Sequence, residues 1–241
     1  MSNRELNDGS GGNTVYVSRF TSWAPGLNSP ADWEDWARGL KKISASGESP
    51  TLDFAESKWI HPGQKEFMLF KRRLSQISRM TIQVLHEIMP VGENTKTVFV
   101  SFRGEITQQF KINRMLIEEG DISPAAFSQS VFNTPPGAAT IALNLRAGYS
   151  AVYPGNNCFN TGFLSAAVPL LCAGAEQIDL VYADELCPPE YGSLCPHPNT
   201  PLAFAALLCA KAPGIPVVPG RDYLASPENF LKFLYNNRDG L

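Results

Sequence analysis

Residues Tyr149 to Ala173 leave the chain little choice of architecture. A short aromatic and β-branched strand, Tyr149–Tyr153, runs into a tight turn, Pro154-Gly155-Asn156-Asn157, and then into an apolar helix from Phe159 to Ala173. A strand that feeds a helix this directly must lie in a sheet and carry the helix on its face. The alternation recurs along the chain. Val15–Phe20, Thr97–Phe102, Ile178–Ala183 and Leu202–Cys209 read as further strands. No linker or internal repeat divides them, so we expect a short tail, residues 1–13, and one α/β domain, residues 14–241.

Local signals set the expected helices. Ser29 is an N-cap, Pro30 fits the first helical position, and Trp33, Trp36, Ala37 and Leu40 share one face. Residues 44–63, with Gly47, Pro50, Pro62 and Gly63, read as a loop. One long helix is expected from Gln64 to Met89, with Phe67, Phe70, Leu74, Ile77, Val84, Leu85 and Ile88 as its apolar stripe. Lys71, Arg72, Arg73 and Arg79 read most simply as its solvated face, with phosphate binding as the lesser alternative. Arg103-Gly104 ends a strand, Glu105–Glu119 is helical, and Gly120 caps it. Ser123-Pro124 opens a short helix. Pro135-Pro136-Gly137 is expected to break the chain before a helix over Ala138–Leu145, which Gly148 closes. Pro169 is expected to interrupt the Phe159 helix, since a mid-helix proline costs about 3 kcal/mol. Asp184–Pro201 reads as a long Pro-rich loop, and Ser226-Pro227-Glu228 caps a last helix with Phe230, Phe233 and Leu234.

Composition removes several classes. Hydrophobic residues are 44% and charged residues 18%, which excludes a largely disordered chain. Twenty basic against 23 acidic residues leave no electrostatic footprint for nucleic acid. The N-terminus, MSNRELNDGSGGNT, lacks the apolar core of a signal peptide. The longest apolar stretch, Phe163–Ala175, is too short to cross a bilayer. We therefore expect a cytoplasmic protein without a membrane span. The five cysteines are Cys158, Cys172, Cys187, Cys195 and Cys209, with no CxxC pair. Cys172 and Cys209 sit in apolar runs and read as core residues. Cys187 and Cys195 flank a loop near His197 but lack the ligand set of a zinc site. No metal, no cofactor and reduced thiols are expected.

Three stretches carry a family resemblance when taken in order. They are SerGlnSerValPheAsnThrProProGly (128–137), GlyTyrSerAlaValTyr (148–153) and PheAsnThrGly (159–162). Together they resemble the N-terminal half of β-ketoacyl synthases, which have the thiolase fold. Arg103-Gly104-Glu105 and AspIleSerProAlaAlaPheSerGlnSerVal (121–131) are similar to the same family. The resemblance implies a thiolase-like α/β fold, a single N-terminal-type ketosynthase half with a mixed sheet covered by helices.

The resemblance also implies where a nucleophilic cysteine would stand, three residues before a helix glycine. Counting back from Gly162, that position holds Phe159, and Cys158 is one residue early. One residue is about 100° of helical rotation. His61, His86 and His197 stand in no matching motif. The resemblance therefore implies a catalytically silent subunit similar to the chain-length factors of aryl polyene biosynthesis. Such a subunit would pair with an active β-ketoacyl synthase as a heterodimer, meet acyl carrier protein through that complex, and shape its acyl tunnel. Phe132, Asn133, Thr134, Thr140, Ile141, Leu143 and Phe159 are the expected partner-facing or tunnel-lining residues, with ordinary core packing an equal alternative for the apolar ones. Asn133 and Asn157 also read as turn or cap residues. A second reading stands beside this one. Cys158 at a helix N-terminus could serve a small cysteine acyltransferase or thioesterase, with His197 as base.

Overall fold

A computed structural model describes residues 13–52, 64–88, 95–155, 158–195 and 199–241. The N-terminal tail up to residue 12, His61, His197, Met89 and the Asn156-Asn157 half of the turn lie outside the described residues.

Six strands form one mixed sheet: β1 (Val15–Trp23), β2 (Thr97–Val100), β3 (Tyr149–Val152), β4 (Gln177–Asp184), β5 (Leu202–Cys209) and β6 (Ile215–Val217). Their order is β3-β2-β4-β5-β1-β6. The pairs β2–β3 and β2–β4 are parallel, whereas β4–β5, β5–β1 and β1–β6 are antiparallel. The β5 run LAFAALLC is apolar at both alternating positions because both faces are covered. Leu202, Phe204, Ala206 and Leu208 enter one core, and Ala203, Ala205 and Leu207 enter the other.

The first core lies under α1 (Pro30–Ala37), α7 (Phe159–Cys172) and α8 (Pro227–Asn236). The second lies under α3 (Gln76–Ile88) and α6 (Thr134–Leu143). Helix α2 (Gln64–Arg73) meets the second core through Phe70, and two further helices, α4 (Ile106–Glu119) and α5 (Pro124–Ser128), lie between β2 and α6 in the chain. The layering is the α/β arrangement expected from the alternation of elements.

Local caps appear where the sequence places them. Ser29, Ser123 and Ser226 each accept a backbone N–H three residues on, and Gly120 takes the left-handed conformation after α4.

Several expectations are corrected. The long helix over 64–89 is two helices. Ser75 interrupts it because its Oγ accepts the Ser78 N–H at 3.1 Å and so caps α3. Leu40 leaves its expected face, since α1 stops at Ala37 and Leu40 is 75% exposed. Pro135 and Pro136 do not break the chain but sit buried in the first turn of α6, where a missing N–H costs nothing. Asn144, not Gly148, ends α6 in the left-handed conformation. Helix α7 runs through Pro169 without interruption, and the Pro169 carbonyl still accepts the Ala173 and Ala175 N–H groups. Cys172 is exposed and not a core residue. Cys187 and Cys195 form a disulfide, which overturns the expectation of reduced thiols for this pair. The loop between β4 and β5 contains a short 3-10 helix, Pro189–Leu194, and strand β6 was not foreseen.

Gly162 fixes how close α7 comes to the sheet. A Cβ there would stand 2.5 Å from Val100 Cγ1 and 3.1 Å from Cγ2. Val100 is stiff at χ1, so it cannot swing aside. Gly162→Ala is expected to destabilise the fold by about 1–3 kcal/mol. Adding Val100→Ala should return part of that loss. Urea unfolding of the two single variants and the double variant measures the coupling.

Candidate functional site

A cavity of about 480 Å³ opens between the α2–α3 junction, the start of α4, the segment after α5, helix α6 and strand β3. Its position follows from how the chain leaves β2. The β2–α4 connection is held by Asp184 at the end of β4. One Asp184 oxygen accepts the Ser101 hydroxyl at 2.6 Å and the Phe102 and Arg103 N–H groups at 3.1 and 3.0 Å. The other accepts the Tyr182 hydroxyl at 2.7 Å, and Arg103 Nε lies 3.9 Å away. Burial still pushes the Asp184 carboxyl up, with Arg103 and the hydroxyl donors pulling it back.

The same connection passes through Gly104 at φ +57°. A Cβ at Gly104 would stand 2.7 Å from the Phe132 ring, so only glycine allows the ring to close over the backbone. Phe132 also meets Phe99 edge-on at 6.2 Å. The Glu105 side chain is thereby turned inward, away from capping α4. Glu105 Oε1 accepts the Ser75 and Ser78 hydroxyls at 2.7 and 2.6 Å. Oε2 has no partner among the described residues, although Glu105 is only 2% exposed. Burial above all pushes the Glu105 carboxyl up to about 7; the two serines lower it, and Glu185 raises it further. The orphan N–H of Thr107, which Glu105 leaves uncapped, is taken by the Glu185 carboxylate at 2.9 Å.

The expected site residues separate in the fold. Asn133, Thr134 and Ile141 line the cavity. Ile141 is 64% exposed and stands at the mouth. Asn133 is the N-cap residue of α6, yet its side chain makes no capping bond and donates to the Tyr149 hydroxyl at 3.2 Å. Thr134 Oγ1 donates to the Ser128 carbonyl at 3.0 Å. Phe132 packs on Gly104, Thr140 donates to the Gly137 carbonyl at 2.7 Å, and Leu143 packs against the second core. None of these three is among the lining residues. Phe159 lies on the other side of the sheet. It is fully buried, with ring centroids 5.9 Å from Tyr182, 5.9 Å from Phe204 and 5.7 Å from Phe230.

Cys158 occupies the N-cap position of α7 and is exposed. Hydrogen bonding with Thr161, followed by the Asn160 N–H, lowers its thiol pKa. His86 sits within α3, half-buried, and burial lowers its pKa.

Sequence reasoning missed Ser75, Ser78, Glu105 and Tyr149 as cavity residues. The signal available was Arg103-Gly104-Glu105, which marks the connection but not where its carboxylate points.

The sequence of residues 33–219 matches the model of the β-ketoacyl synthase N-terminal domain family. No curated protein matches the chain. Among solved structures, the chain is similar to the ketosynthase ApeO in complex with its chain length factor ApeC from Xenorhabdus doucetiae. The identity is 26% and the TM-score 0.65, covering 83% of this chain and 80% of that chain. It is also similar in fold to the ishigamide ketosynthase/chain length factor, at 14% identity and TM-score 0.58 over 81% of this chain. A β-ketoacyl synthase from Burkholderia phymatum STM815 matches at 13% identity and TM-score 0.50 over 82% of this chain. The chain spans 62% and 59% of the length of those last two. The fold is that of the thiolase-like ketosynthases.

Proposed function

Because the chain belongs to the β-ketoacyl synthase N-terminal domain family, we propose that it is a chain length factor without condensing activity of its own. It pairs with an active β-ketoacyl synthase, helps to shape that enzyme's acyl tunnel, and acts during polyene-type chain elongation on acyl carrier protein. The observation that carries this reading is Phe159. The position three residues before Gly162 holds a ring that cannot be acylated and that is enclosed in an aromatic core. The likeness to the ApeO–ApeC complex supports the pairing. The cavity and the β3 edge beside it supply a surface for a partner's acyl chain.

The test is co-expression with a β-ketoacyl synthase encoded beside this chain, followed by native mass spectrometry. A one-to-one complex is expected. Two separate species would overturn the reading. Within such a complex, Ile141→Trp is expected to shorten the product, because the larger ring fills the mouth of the cavity. Product length measured by mass spectrometry of the acyl carrier protein thioester checks this, and an unchanged length removes Ile141 from the tunnel.

The second reading rests on the exposure of Cys158 and its lowered thiol pKa. A stable acyl adduct on Cys158, formed from an acyl thioester by a chain that ignores the ketosynthase, would favour it.

A further inference from the structure

We propose that the Cys187–Cys195 disulfide is a reversible redox site, opened by a dithiol reductant, and that its opening loosens the β2–α4 connection beside the cavity. The disulfide closes a short ring in the loop between β4 and β5. The ring and its flanks are bonded to three other parts of the fold. Before the ring, the Leu186 N–H donates to Gln76 Oε1, at the start of α3, at 2.9 Å. Thr107 Oγ1, in the first turn of α4, donates to the Leu186 carbonyl at 3.4 Å. Within the ring, Tyr191 meets Phe110 of α4 edge-on, with centroids 5.5 Å apart. Beyond the ring, Asn199 turns back onto Cys187. Its Oδ1 accepts the Cys187 N–H at 2.9 Å, and its Nδ2 donates to the Cys187 carbonyl at 3.3 Å. The same Oδ1 accepts Arg103 Nη1 at 3.1 Å, and Arg103 Nη1 also donates to the Glu185 carbonyl at 2.8 Å.

Arg103 belongs to the connection that leads into α4, and Glu105 and Gln108, just beyond it, line the cavity. With the ring closed, Tyr191 is held against α4 and the Cys187 backbone is held against Asn199. With the ring open, the residues between the two cysteines regain conformational freedom. Asn199 then loses the fixed backbone from which it reaches Arg103. A reductant has a way in. Gly192, Ser193 and Leu194 are exposed at the tip of the ring. Cys195 follows directly and is the less covered of the two cysteines, 6% exposed against 1%. Reduction proceeds by thiol–disulfide exchange. A thiolate of the reductant attacks the Cys195 sulfur, and the Cys187 sulfur leaves. The second thiolate of the reductant then breaks the mixed disulfide. Two electrons and two protons pass to the protein, and the reductant ends as its own disulfide. None of these steps depends on what the cavity binds.

The experiment is hydrogen exchange with mass spectrometry on the full chain, untreated, reduced with dithiothreitol, and reoxidised with oxidised glutathione. Alkylation of the denatured chain counts the thiols in each state. Cys158, Cys172 and Cys209 are free, so three thiols are expected before reduction, five after it and three again on reoxidation. Reduction is expected to lower amide protection across residues 102–110 by about tenfold, a size usual for coupling between linked sites. Reoxidation should restore it. The double variant Cys187→Ser, Cys195→Ser should show the low protection with and without dithiothreitol. Asn199→Ala should lower protection at residues 102–104 while the disulfide stays closed. Five thiols in the untreated chain would overturn the proposal. Protection lost only within residues 186–199 would reduce the disulfide to a local staple, and protection lost evenly, β5 included, would reduce it to a support of global stability. Either result overturns the coupling. The reduced and reoxidised wild type decide the matter even if the double variant fails to fold.

Discussion

Glu105→Gln is expected to make the protein more stable at pH 8 by about 3 kcal/mol and to leave it almost unchanged near pH 4.5. The carboxyl is lifted from 4.5 to about 7 chiefly by burial. A folded-state pKa above the unfolded one means that the folded protein keeps a proton which the unfolded chain has already released. The associated stability is complete below about pH 4.5. It is lost as pH rises towards 7, and above that the loss levels off. At about 1.4 kcal/mol for each tenfold difference in proton affinity, the window is worth about 3 kcal/mol. Glutamine keeps the shape and the contact with Ser75 and Ser78 but cannot ionise. Burial also pushes Asp184 and Glu185 up, so the wild type has further slope of the same sign. The difference between the two proteins isolates Glu105. Urea midpoints from pH 4.5 to 8.5 on both proteins measure it. A gap that does not widen with pH would show that Glu105 is not held protonated by its surroundings.

Phe159→Cys is expected to cost about 3–4 kcal/mol and to give a thiol that does not react in the folded protein. Removing the ring leaves a void among Tyr182, Phe204 and Phe230, and Phe-to-small changes in cores cost amounts of this order. A thiol in that pocket is inaccessible, and an apolar site disfavours its thiolate. Cys158 provides the internal reference, since it is exposed and its thiol pKa is lowered. Iodoacetamide under native conditions should therefore modify Cys158 and spare the new thiol; mass-resolved peptide mapping separates the two. Rapid modification at position 159, or transfer of an acyl group to it, would mean that restoring the cysteine restores a nucleophile. The reading of a subunit silent by its fold would then fail. The two neighbouring positions differ because α7 begins at Phe159, whereas Cys158 precedes it with non-helical backbone angles (φ -95°, ψ 89°). One points into the core and the other into solvent.

The separation of the expected site residues has a physical basis. Asn133, Thr134 and Ile141 reach the cavity, while Thr140 and Leu143 on the same helix do not. All five lie within eleven residues, and the sequence shows them as one apolar and polar mixture. Which face of α6 meets the second core and which meets the cavity depends on α3, which packs along it. Phe159 is linked to them only by a motif in the sequence, and in the fold the sheet stands between.

Features decided within three or four residues were legible in the chain itself. Ser29, Ser123 and Ser226 cap their helices through backbone groups three residues away, and Gly120 ends α4 because it alone there adopts the left-handed conformation at no cost. The doubly buried β5 announced a covered sheet by its unbroken apolar run. Features that depend on a distant partner were not legible. The periodicity over 64–89 continues through Ser75 without a change of phase, but Glu105 lies thirty residues on and accepts its hydroxyl. Prolines 135, 136 and 169 read as breaks, because the sequence does not say which N–H groups the fold leaves unused. The disulfide joins two cysteines whose spacing gave no sign of pairing. Order of elements, caps and the fold class are therefore properties of the sequence, since their energies are local or periodic. The cavity, its buried carboxylate and the enclosure of Phe159 belong to the tertiary structure, since burial is decided by segments that meet only after folding.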